Sequence, residues 1–279
     1  MRNTRKPLSA VLLLAAAMLA GCAAKEKSPR PAPGSAAARS PQVLLDEGYR
    51  ALESQHYDDA ITRADQVLAA QPHGENAAKA LYLKGRGFEA KNAAGVSAEE
   101  SQANLQAARE AYINALRENP PQPLDAYIRA SLGNVAYFQD DYQTAVTQFA
   151  AAYENLDRDD LKAWALYRTG LSQQRQGQFE QADKTFAAVQ QRHASSVPAQ
   201  RAREHQGARG YVVQLATFAQ PASADKAAAS LKQQGVAASR VDGPAGRAYL
   251  RVGPVASYKQ AQYTRGRFLK QYPDAVIIP

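Results

Sequence analysis

Residues 133–149 read GNVAYFQDDYQTAVTQF, and residues 170–186, which lie 37 positions later, read GLSQQRQGQFEQADKTF. Both stretches contain a glycine, an aromatic residue, an alanine and a second aromatic residue at matching positions. Small residues let two antiparallel helices approach closely, and aromatic residues fill the space between neighbouring helix pairs. The pattern therefore predicts a helical hairpin in each stretch.

The glycine and the alanine of this pattern recur through the middle of the chain. The glycines of the predicted first helices are Gly48, Gly85, Gly133 and Gly170, and the alanines of the second helices are Ala60, Ala108, Ala145 and Ala182. The glycine step is 37 residues except between Gly85 and Gly133, where it is 48. The difference indicates an insertion of 11 residues, and the Gly, Asn and Ser content of residues 91–101 predicts a loop there. Four hairpins in one register predict an all-α repeat domain over residues 42–205.

The repeat resembles tetratricopeptide (TPR) repeats, although its step exceeds the family's usual step of about 34 residues and the family's tryptophan in the first helix is missing. The resemblance implies a solenoid in which the inner face of the first helices forms a groove for a protein partner. The residues of that groove are Tyr82, Arg86, Tyr127, Asn134, Tyr137, Trp164 and Tyr167. The alternative is that these side chains only pack between helices.

The N-terminal residues have the pattern of a targeting segment. Basic residues precede an apolar run at residues 8–19, which is too short to be an ordinary membrane span. The run ends in Leu19-Ala20-Gly21-Cys22, which resembles the bacterial lipobox. The resemblance implies removal of residues 1–21 as a signal peptide and attachment of acyl chains such as palmitate to Cys22, which anchors the protein to a membrane. An ordinary secretory signal with an incidental cysteine is the alternative.

Residues 22–41 follow as a segment rich in Ala, Pro and Ser without apolar periodicity. Such a composition predicts a flexible tether between the lipid and the folded part. Ala23, rather than aspartate, follows the cysteine. In Gram-negative lipoproteins this implies the periplasmic face of the outer membrane, so we expect a protein of the cell envelope.

The hydrophobic periodicity changes after residue 205. Strand-like and helix-like segments follow in the order βαββαβ, with predicted bounds of 211–218, 222–234, 236–241, 248–255, 257–272 and 275–278. This order predicts a small α+β domain over residues 206–279, with the RNP-like arrangement of RNA-binding domains. Both helices are expected to cover one face of the sheet, and the other face is expected to stay open to solvent.

Three signatures in this domain resemble the SPOR (sporulation-related repeat) family. They are residues 213–218 (VQLATF), 231–235 (LKQQG) and 249–255 (YLRVGPV). SPOR domains bind bacterial peptidoglycan and favour glycan strands whose stem peptides have been removed, so the resemblance implies that ligand here. The sequence departs from the family pattern at Ala216-Thr217, where Gly-Ser is usual, and at Tyr249, where Arg is usual.

The open face of the predicted sheet is the candidate glycan-binding site. The expected contacts on it are Gln214, Thr217, Tyr249, Arg251 and Val276. Removing a stem peptide frees a lactyl carboxylate on muramic acid, and Arg251, Arg240 and Arg247 are the candidate cations for that anion. Residues 206–279 contain ten Lys or Arg and three Asp or Glu, so the net positive charge of the protein lies in this domain. The alternative is a sheet that has lost glycan binding and docks only proteins.

The composition argues against an enzyme. A chain of 279 residues with 45% apolar and 22% charged side chains is globular, and its single Cys excludes an intramolecular disulfide or a cysteine-based metal cluster. No nucleophile with a neighbouring base and no metal-ligand spacing is evident, so we expect no catalytic residue, cofactor or metal. The third predicted strand lacks the aromatic RNA-binding motif, and export would separate the protein from cytoplasmic RNA, so we expect no nucleic-acid partner.

These observations predict a lipid-anchored, multi-domain scaffold of the cell envelope. Its repeats would bind an unidentified envelope or divisome protein, and its C-terminal domain would bind glycan strands poor in stem peptides, with enrichment at the division septum. The alternative function is a repeat adaptor of an outer-membrane or pilus assembly complex, in which glycan binding is secondary or lost.

Overall fold

The structure, a computed structural model, describes residues 39–93 and 96–279. The predicted signal peptide, Cys22 and most of the predicted tether lie outside the described residues. Among the residues that are described, no helix is both long and apolar enough to cross a bilayer.

Consecutive helices form hairpins in the described part of the chain. Their bounds are α1 (Pro41–Glu53) and α2 (Tyr57–Ala70), α3 (Glu75–Ala93) and α4 (Ala98–Arg117), α5 (Leu124–Phe138) and α6 (Tyr142–Asn155), and α7 (Asp159–Arg175) and α8 (Phe179–Arg192). A further helix, α9 (Val197–His205), packs against α8. The TPR-like architecture predicted from the repeat is confirmed.

The repeat signature has a direct packing role. A Cβ atom added to Gly85 would lie 2.4 Å from the ring of Tyr112 in the paired helix. The same relation places Gly133 against Phe149 at 2.9 Å and Gly170 against Phe186 at 2.6 Å. The four alanines of the second helices are fully buried. Glycine is therefore needed in the first helix because an aromatic ring of the second helix occupies the space of a side chain.

Polar residues fix where several helices begin. Ser40, Ser97 and Asp141 accept hydrogen bonds from backbone N–H groups in the first turns of α1, α4 and α6. Such caps satisfy amide groups that have no partner within the helix. The charged first turns, for example Asp58 and Asp59 of α2, also suit the positive end of the helix dipole.

The predicted loop at residues 91–101 is largely wrong. Helix α3 continues to Ala93, and α4 begins at Ala98, so the insertion lengthens the second hairpin. Helix α4 has 20 residues, whereas α2, α6 and α8 have 14 each. Ala-rich and Glu-rich sequence on either side of the break favours helix and outweighs the few loop-forming residues.

The chain divides into two compact units, one ending at Leu161 and one running from Lys162 to Pro279. The second unit contains most of α7 together with α8, α9 and the C-terminal elements. Those elements are β1 (Tyr211–Phe218), α10 (Pro221–Gln233), β2 (Ala238–Asp242), β3 (Ala248–Val255), α11 (Tyr258–Phe268) and β4 (Val276–Ile278). The strands form one antiparallel sheet in the order β2-β3-β1-β4.

The predicted bounds of β1 and β3 are confirmed, whereas β2 begins later and α11 ends earlier than predicted. Strand β2 is delayed by the C-terminal cap of α10. Gly235 has a positive φ of 76°, and the N–H of Val236 donates to the carbonyl of Leu231 at 3.0 Å. This capping arrangement holds both residues in a turn, so the strand starts only at Ala238.

One face of the sheet forms the core of the C-terminal domain. The inward residues of β1 and β3 are Val213, Leu215, Leu250 and Val252, and all four are buried. They belong to one cluster with Leu231 of α10 and Phe268 of α11. The helices therefore cover this face, as strand alternation predicts.

Candidate functional site

The other face of the sheet, which we call the open face, carries polar and apolar side chains from all four strands. Register pairs Gln214 with Arg251 and with Val276, and pairs Thr217 with Tyr249. Directly paired residues of an antiparallel sheet point to the same side. The full set on this face is Val212, Gln214, Thr217, Ser239, Val241, Tyr249, Arg251, Val276 and Ile278.

A β-bulge in β1 directs Thr217 to the open face. Simple alternation would place Thr217 on the core side with Val213 and Leu215. Between Gln214 and Ala216, however, β1 advances by two residues while β3 advances by one, from Arg251 to Leu250. The extra residue reverses the alternation, so that Thr217 is opposite Tyr249 and is exposed.

The centre of the open face is a hydrogen-bonded pair. The Nε and Nη2 atoms of Arg251 donate to the side-chain oxygen of Gln214 at 3.2 and 3.1 Å. Because this oxygen accepts both bonds, the NH₂ group of Gln214 is the end that can donate to a ligand. The pair fixes a cation and an amide donor side by side on a half-buried surface.

Tyr249 is held beside this pair from two sides. The guanidinium carbon of Arg251 lies 5.1 Å from the centroid of the Tyr249 ring, within the range of a cation–π contact. On its other side, Gly243 lies so close to the ring that a Cβ atom there would be 2.7 Å from it. The ring is therefore positioned by its neighbours before any ligand arrives.

Apolar residues border the polar centre on β4 and β1. Val276 has 47% of its surface exposed and lies next to Gln214, and Ile278 pairs with Val212. The open face thus combines hydrogen-bonding groups, one cation and apolar area within three adjacent strands. Val212 and the β2 residues Ser239 and Val241 were absent from the sequence-based prediction, because only the strand register shows that they share this face.

Of the other two predicted cations, Arg240 is excluded from the open face. It pairs with the buried Leu250 and forms ion pairs with Asp225 of α10 at 3.0 Å and with Asp242 at 3.3 Å. Asp225 belongs to the helix layer, so Arg240 lies on the opposite side of the sheet and the prediction that it contacts the ligand needs correction. Arg247 is exposed in the turn before β3, outside the hydrogen-bonded strands.

The sheet is also packed against the last helical hairpin of the same unit. Tyr211, which begins β1, is 2% exposed, and its hydroxyl donates to the carbonyl of Gln174 in α7 at 2.6 Å. Its ring contacts those of Phe179 and Tyr258 at centroid distances of 5.8 and 5.3 Å. The guanidinium of Arg175 stacks on Tyr258, 3.1 Å from the ring centroid.

A second set of contacts joins α8 to the segment before β1. Asp183 accepts hydrogen bonds from the backbone N–H of Gly207 at 2.8 Å and from the side chain of Arg209 at 2.7 Å. Together with the Tyr211 contacts, they tie both the start of β1 and the connection leading to it to the hairpin. The sheet is thus supported by helices outside the predicted range of residues 206–279.

The predicted partner groove is partly filled by the protein itself. Within the first unit Tyr82 and Asn134 are buried. Arg86 donates to the Tyr82 hydroxyl at 3.1 Å and lies 4.0 Å from Glu89, which also accepts a bond from Tyr112. Burial alone would lower the pKa of Arg86, but the neighbouring Tyr82, Tyr112 and Glu89 raise it above its ordinary value. The prediction that Tyr82, Arg86 and Asn134 line an accessible groove therefore needs correction.

The remaining predicted groove residues differ in exposure. Tyr127 is half-buried, and its hydroxyl donates to Asp157 at 2.6 Å. Tyr137 is half-buried and contacts the rings of Phe138 and Tyr142.

In the second unit Tyr167 is buried, while Trp164 remains half-buried beneath the guanidinium of Arg201. Tyr127 and Tyr137 in the first unit, and separately Trp164 in the second, stay candidates for contact with a partner.

Two family models match separate segments of the chain. Residues 207–279 match the family model of the SPOR domain, and residues 45–100 and 94–160 match that of the tetratricopeptide repeat. No curated protein matches the chain.

Several solved structures match the chain at low identity and with TM-scores below 0.5. TTC0263, a thermophilic TPR protein of Thermus thermophilus, is 14% identical and covers 61% of this chain and 82% of its own, with a TM-score of 0.48. The MamA protein is 18% identical over 61% of this chain and 84% of its own, with a TM-score of 0.46. The pilF protein of Pseudomonas aeruginosa is 14% identical over 84% of this chain and 92% of its own, with a TM-score of 0.44.

Proposed function

We propose that this chain, which carries tetratricopeptide repeats and a C-terminal SPOR domain, is a cell-envelope scaffold that binds the glycan strands of peptidoglycan through the open face. The observation that carries the proposal is the outward-facing pair of Gln214 and Arg251 in a domain that matches the SPOR family. SPOR domains bind peptidoglycan, and this pair presents a donor and a cation where a polysaccharide can reach them.

The chemistry of the open face suits such a ligand. The NH₂ group of Gln214 and the hydroxyl of Thr217 can bond to sugar hydroxyl and acetamido groups. Tyr249 and Val276 offer apolar area to the C–H faces of sugar rings. A muramic acid residue without its stem peptide has a free carboxylate, and Arg251 is the cation of the open face that can form a charge-assisted bond to it.

The proposal includes anchoring through lipid on Cys22. It rests on the lipobox-like sequence and on the tether composition of residues 22–41. Several acyl chains, at ~0.8 kcal/mol per buried CH₂ group, would hold the protein at a membrane. We propose the periplasmic face of the outer membrane as its location.

The helical hairpins complete the scaffold by binding a protein of the envelope. The TPR match supports a role in protein interaction. Trp164, Tyr137 and Tyr127 are the remaining candidates for this contact. Because glycan without stem peptides forms where amidases act, the complex is expected to be enriched at the division septum.

Sedimentation of the purified protein with whole sacculi tests the glycan-binding proposal. Amidase digestion of the sacculi removes stem peptides, and it should increase the bound fraction at least several-fold. Equal and low binding to digested and undigested sacculi would overturn the proposal.

A further inference from the structure

A pocket of about 300 Å³ adjoins the open face beside the start of β4. Its lining includes Gln214 and Thr217 of β1 and Gln271 and Asp274 of the connection between α11 and β4. Gln214 and Thr217 belong both to this lining and to the open face, so the two surfaces are continuous. We call this hollow the edge pocket.

Strand lengths explain why the edge pocket exists. Strand β4 has only three residues and pairs with Val212, Val213 and Gln214 of β1. The bulged part of β1 that follows therefore has no strand on that side. The connection between α11 and β4 spans the gap instead, and its position is fixed by the bond from Arg265 to the carbonyl of Ala275 at 2.6 Å.

The pocket suits one small polar group rather than a chain of several sugars. Its volume is at the lower end of the range of roughly 300–1,000 Å³ in which proteins hold small ligands. Thr217, Gln271 and Gln214 supply hydrogen-bonding groups, and Asp274 contributes an exposed carboxylate to the lining.

The two ends of this continuous surface carry opposite charges. Arg251 lies on the side of Gln214 that faces β3, whereas the edge pocket, with Asp274, lies on the side of β4. Adjacent strands are about 4.8 Å apart, so the cation and the pocket are separated by a distance that neighbouring sugar residues can span. An anionic sugar is favoured near Arg251 and disfavoured near Asp274.

We infer that the edge pocket takes an uncharged N-acetylglucosamine residue of the glycan strand while the carboxylate of a neighbouring muramic acid lies against Arg251. The inference rests on the proposed glycan binding and specifies which sugar of the strand lies at which position of the surface. Since the two sugars alternate along the strand, opposite charge preferences at the two positions select one of the two possible placements of the chain.

Gln271→Trp tests whether the pocket is used. The indole would fill the hollow without a change in charge, and Gln271 is exposed in the turn after α11, so the fold should persist. We expect at least a tenfold loss of affinity for amidase-digested glycan and for an N-acetylglucosamine tetramer. Gln260→Trp, at an exposed position of α11 away from the pocket, should leave both affinities unchanged.

Asp274→Asn tests the charge preference. This variant should bind digested glycan with its natural carboxylates two- to fivefold more tightly, and should bind carboxyl-reduced glycan as the wild type does. Asp242→Asn removes the same charge on β2, far from the pocket, and should change neither affinity by that factor.

Different results would overturn the edge-pocket assignment and the proposed glycan binding. Wild-type affinities in Gln271→Trp, or equal effects of Asp274→Asn and Asp242→Asn, would overturn the assignment of the edge pocket while glycan binding stands. Absence of wild-type binding to digested sacculi would instead overturn the proposed function itself.

Discussion

The TPR-like unit and the C-terminal sheet use their polar and aromatic side chains in opposite ways. In α3 of the first unit, Arg86 and Tyr82 bond to each other within the protein, and the candidate partner groove is thereby reduced. In the sheet, Arg251 and Gln214 also bond to each other, but on a face that no core residue covers.

The difference comes from the geometry of the elements. A helix packed between neighbouring helices is buried on several sides. A polar side chain on it therefore forms hydrogen bonds within the protein or points to solvent. A strand alternates, and helices on one side of a sheet leave the other side available. The position of a residue in the sequence consequently predicts its accessibility to a ligand better for the strands than for the helices.

The largest expected effect concerns the packing of the hairpins. Gly85→Ala would place a Cβ atom within 2.4 Å of the Tyr112 ring, which is fully buried and bonded to Glu89. We expect destabilisation by about 2–3 kcal/mol, as for other overpacked cores. Chemical denaturation measures the change.

Gly266→Ala is the matched control for that experiment. Gly266 lies in α11 with no atom within 4 Å of an added Cβ. The better helix propensity of alanine should stabilise the protein by up to about 1 kcal/mol. If both variants changed the stability equally, the packing role given to the repeat glycines would be wrong.

A pH effect of similar size is expected in the C-terminal unit. Burial, together with nearby Arg175 and Arg201, lowers the pKa of His205 from 6.5 to about 4. Between these pH values the unfolded chain binds a proton that the native state excludes, so stability is lost as the pH falls from 6.5 to 4, by up to about 3 kcal/mol.

Urea denaturation at several pH values checks this effect. His205→Gln, which removes the titrating group and can still bond to Gln174, should give a flatter profile over the same interval. An unchanged slope in the variant would assign the pH dependence to other groups.

A smaller effect is expected at the contact between the sheet and the last hairpin. Tyr211→Phe removes the hydroxyl that donates to the buried carbonyl of Gln174. The cost should be about 1 kcal/mol, because one hydrogen bond is lost while the carbonyl still accepts from the N–H of Gly177 at 2.9 Å. Hydrogen exchange should show the faster opening in both β1 and α7. Faster exchange in β1 alone would contradict the view that α7 supports the sheet.

The smallest effect on stability, with a clear effect on binding, is expected on the open face. Thr217→Val keeps the shape and should change the free energy of unfolding by less than about 0.5 kcal/mol. The loss of one hydrogen bond to the ligand should weaken binding to digested sacculi about three- to tenfold. Thr264→Val on α11 is the control, and a similar loss in both variants would show that Thr217 does not contact the glycan.

The sequence was most informative where a repeated residue pattern corresponds directly to a packing contact or to a strand. The repeat register predicted hairpins whose helices approach closely at small residues, and the packing of Gly85 against Tyr112 agrees with it. The bounds of β1 and β3 followed from their alternation and β-prone residues. Both signals are local, so a single chain is enough to detect them.

The failures share a physical cause, since each depends on contacts between distant segments. Arg240 faces the helices because it pairs with the buried Leu250 of β3. The sequence of β2 alone does not indicate this register. Thr217 was expected on the open face and lies there, but it does so through a bulge that alternation does not show. Burial of Tyr82 and Asn134 depends on which helices surround them.

The central claim is tested most directly by measuring the affinity of the full protein for amidase-digested sacculi in two charge-matched variants. Arg251→Ala removes the cation of the open face, and Lys226→Ala removes an exposed cation of α10 in the helix layer. We predict at least a tenfold loss for Arg251→Ala, as expected for a charge-assisted bond, and a change of less than twofold for Lys226→Ala. Equal affinities of the two variants would contradict the assignment of glycan binding to the open face.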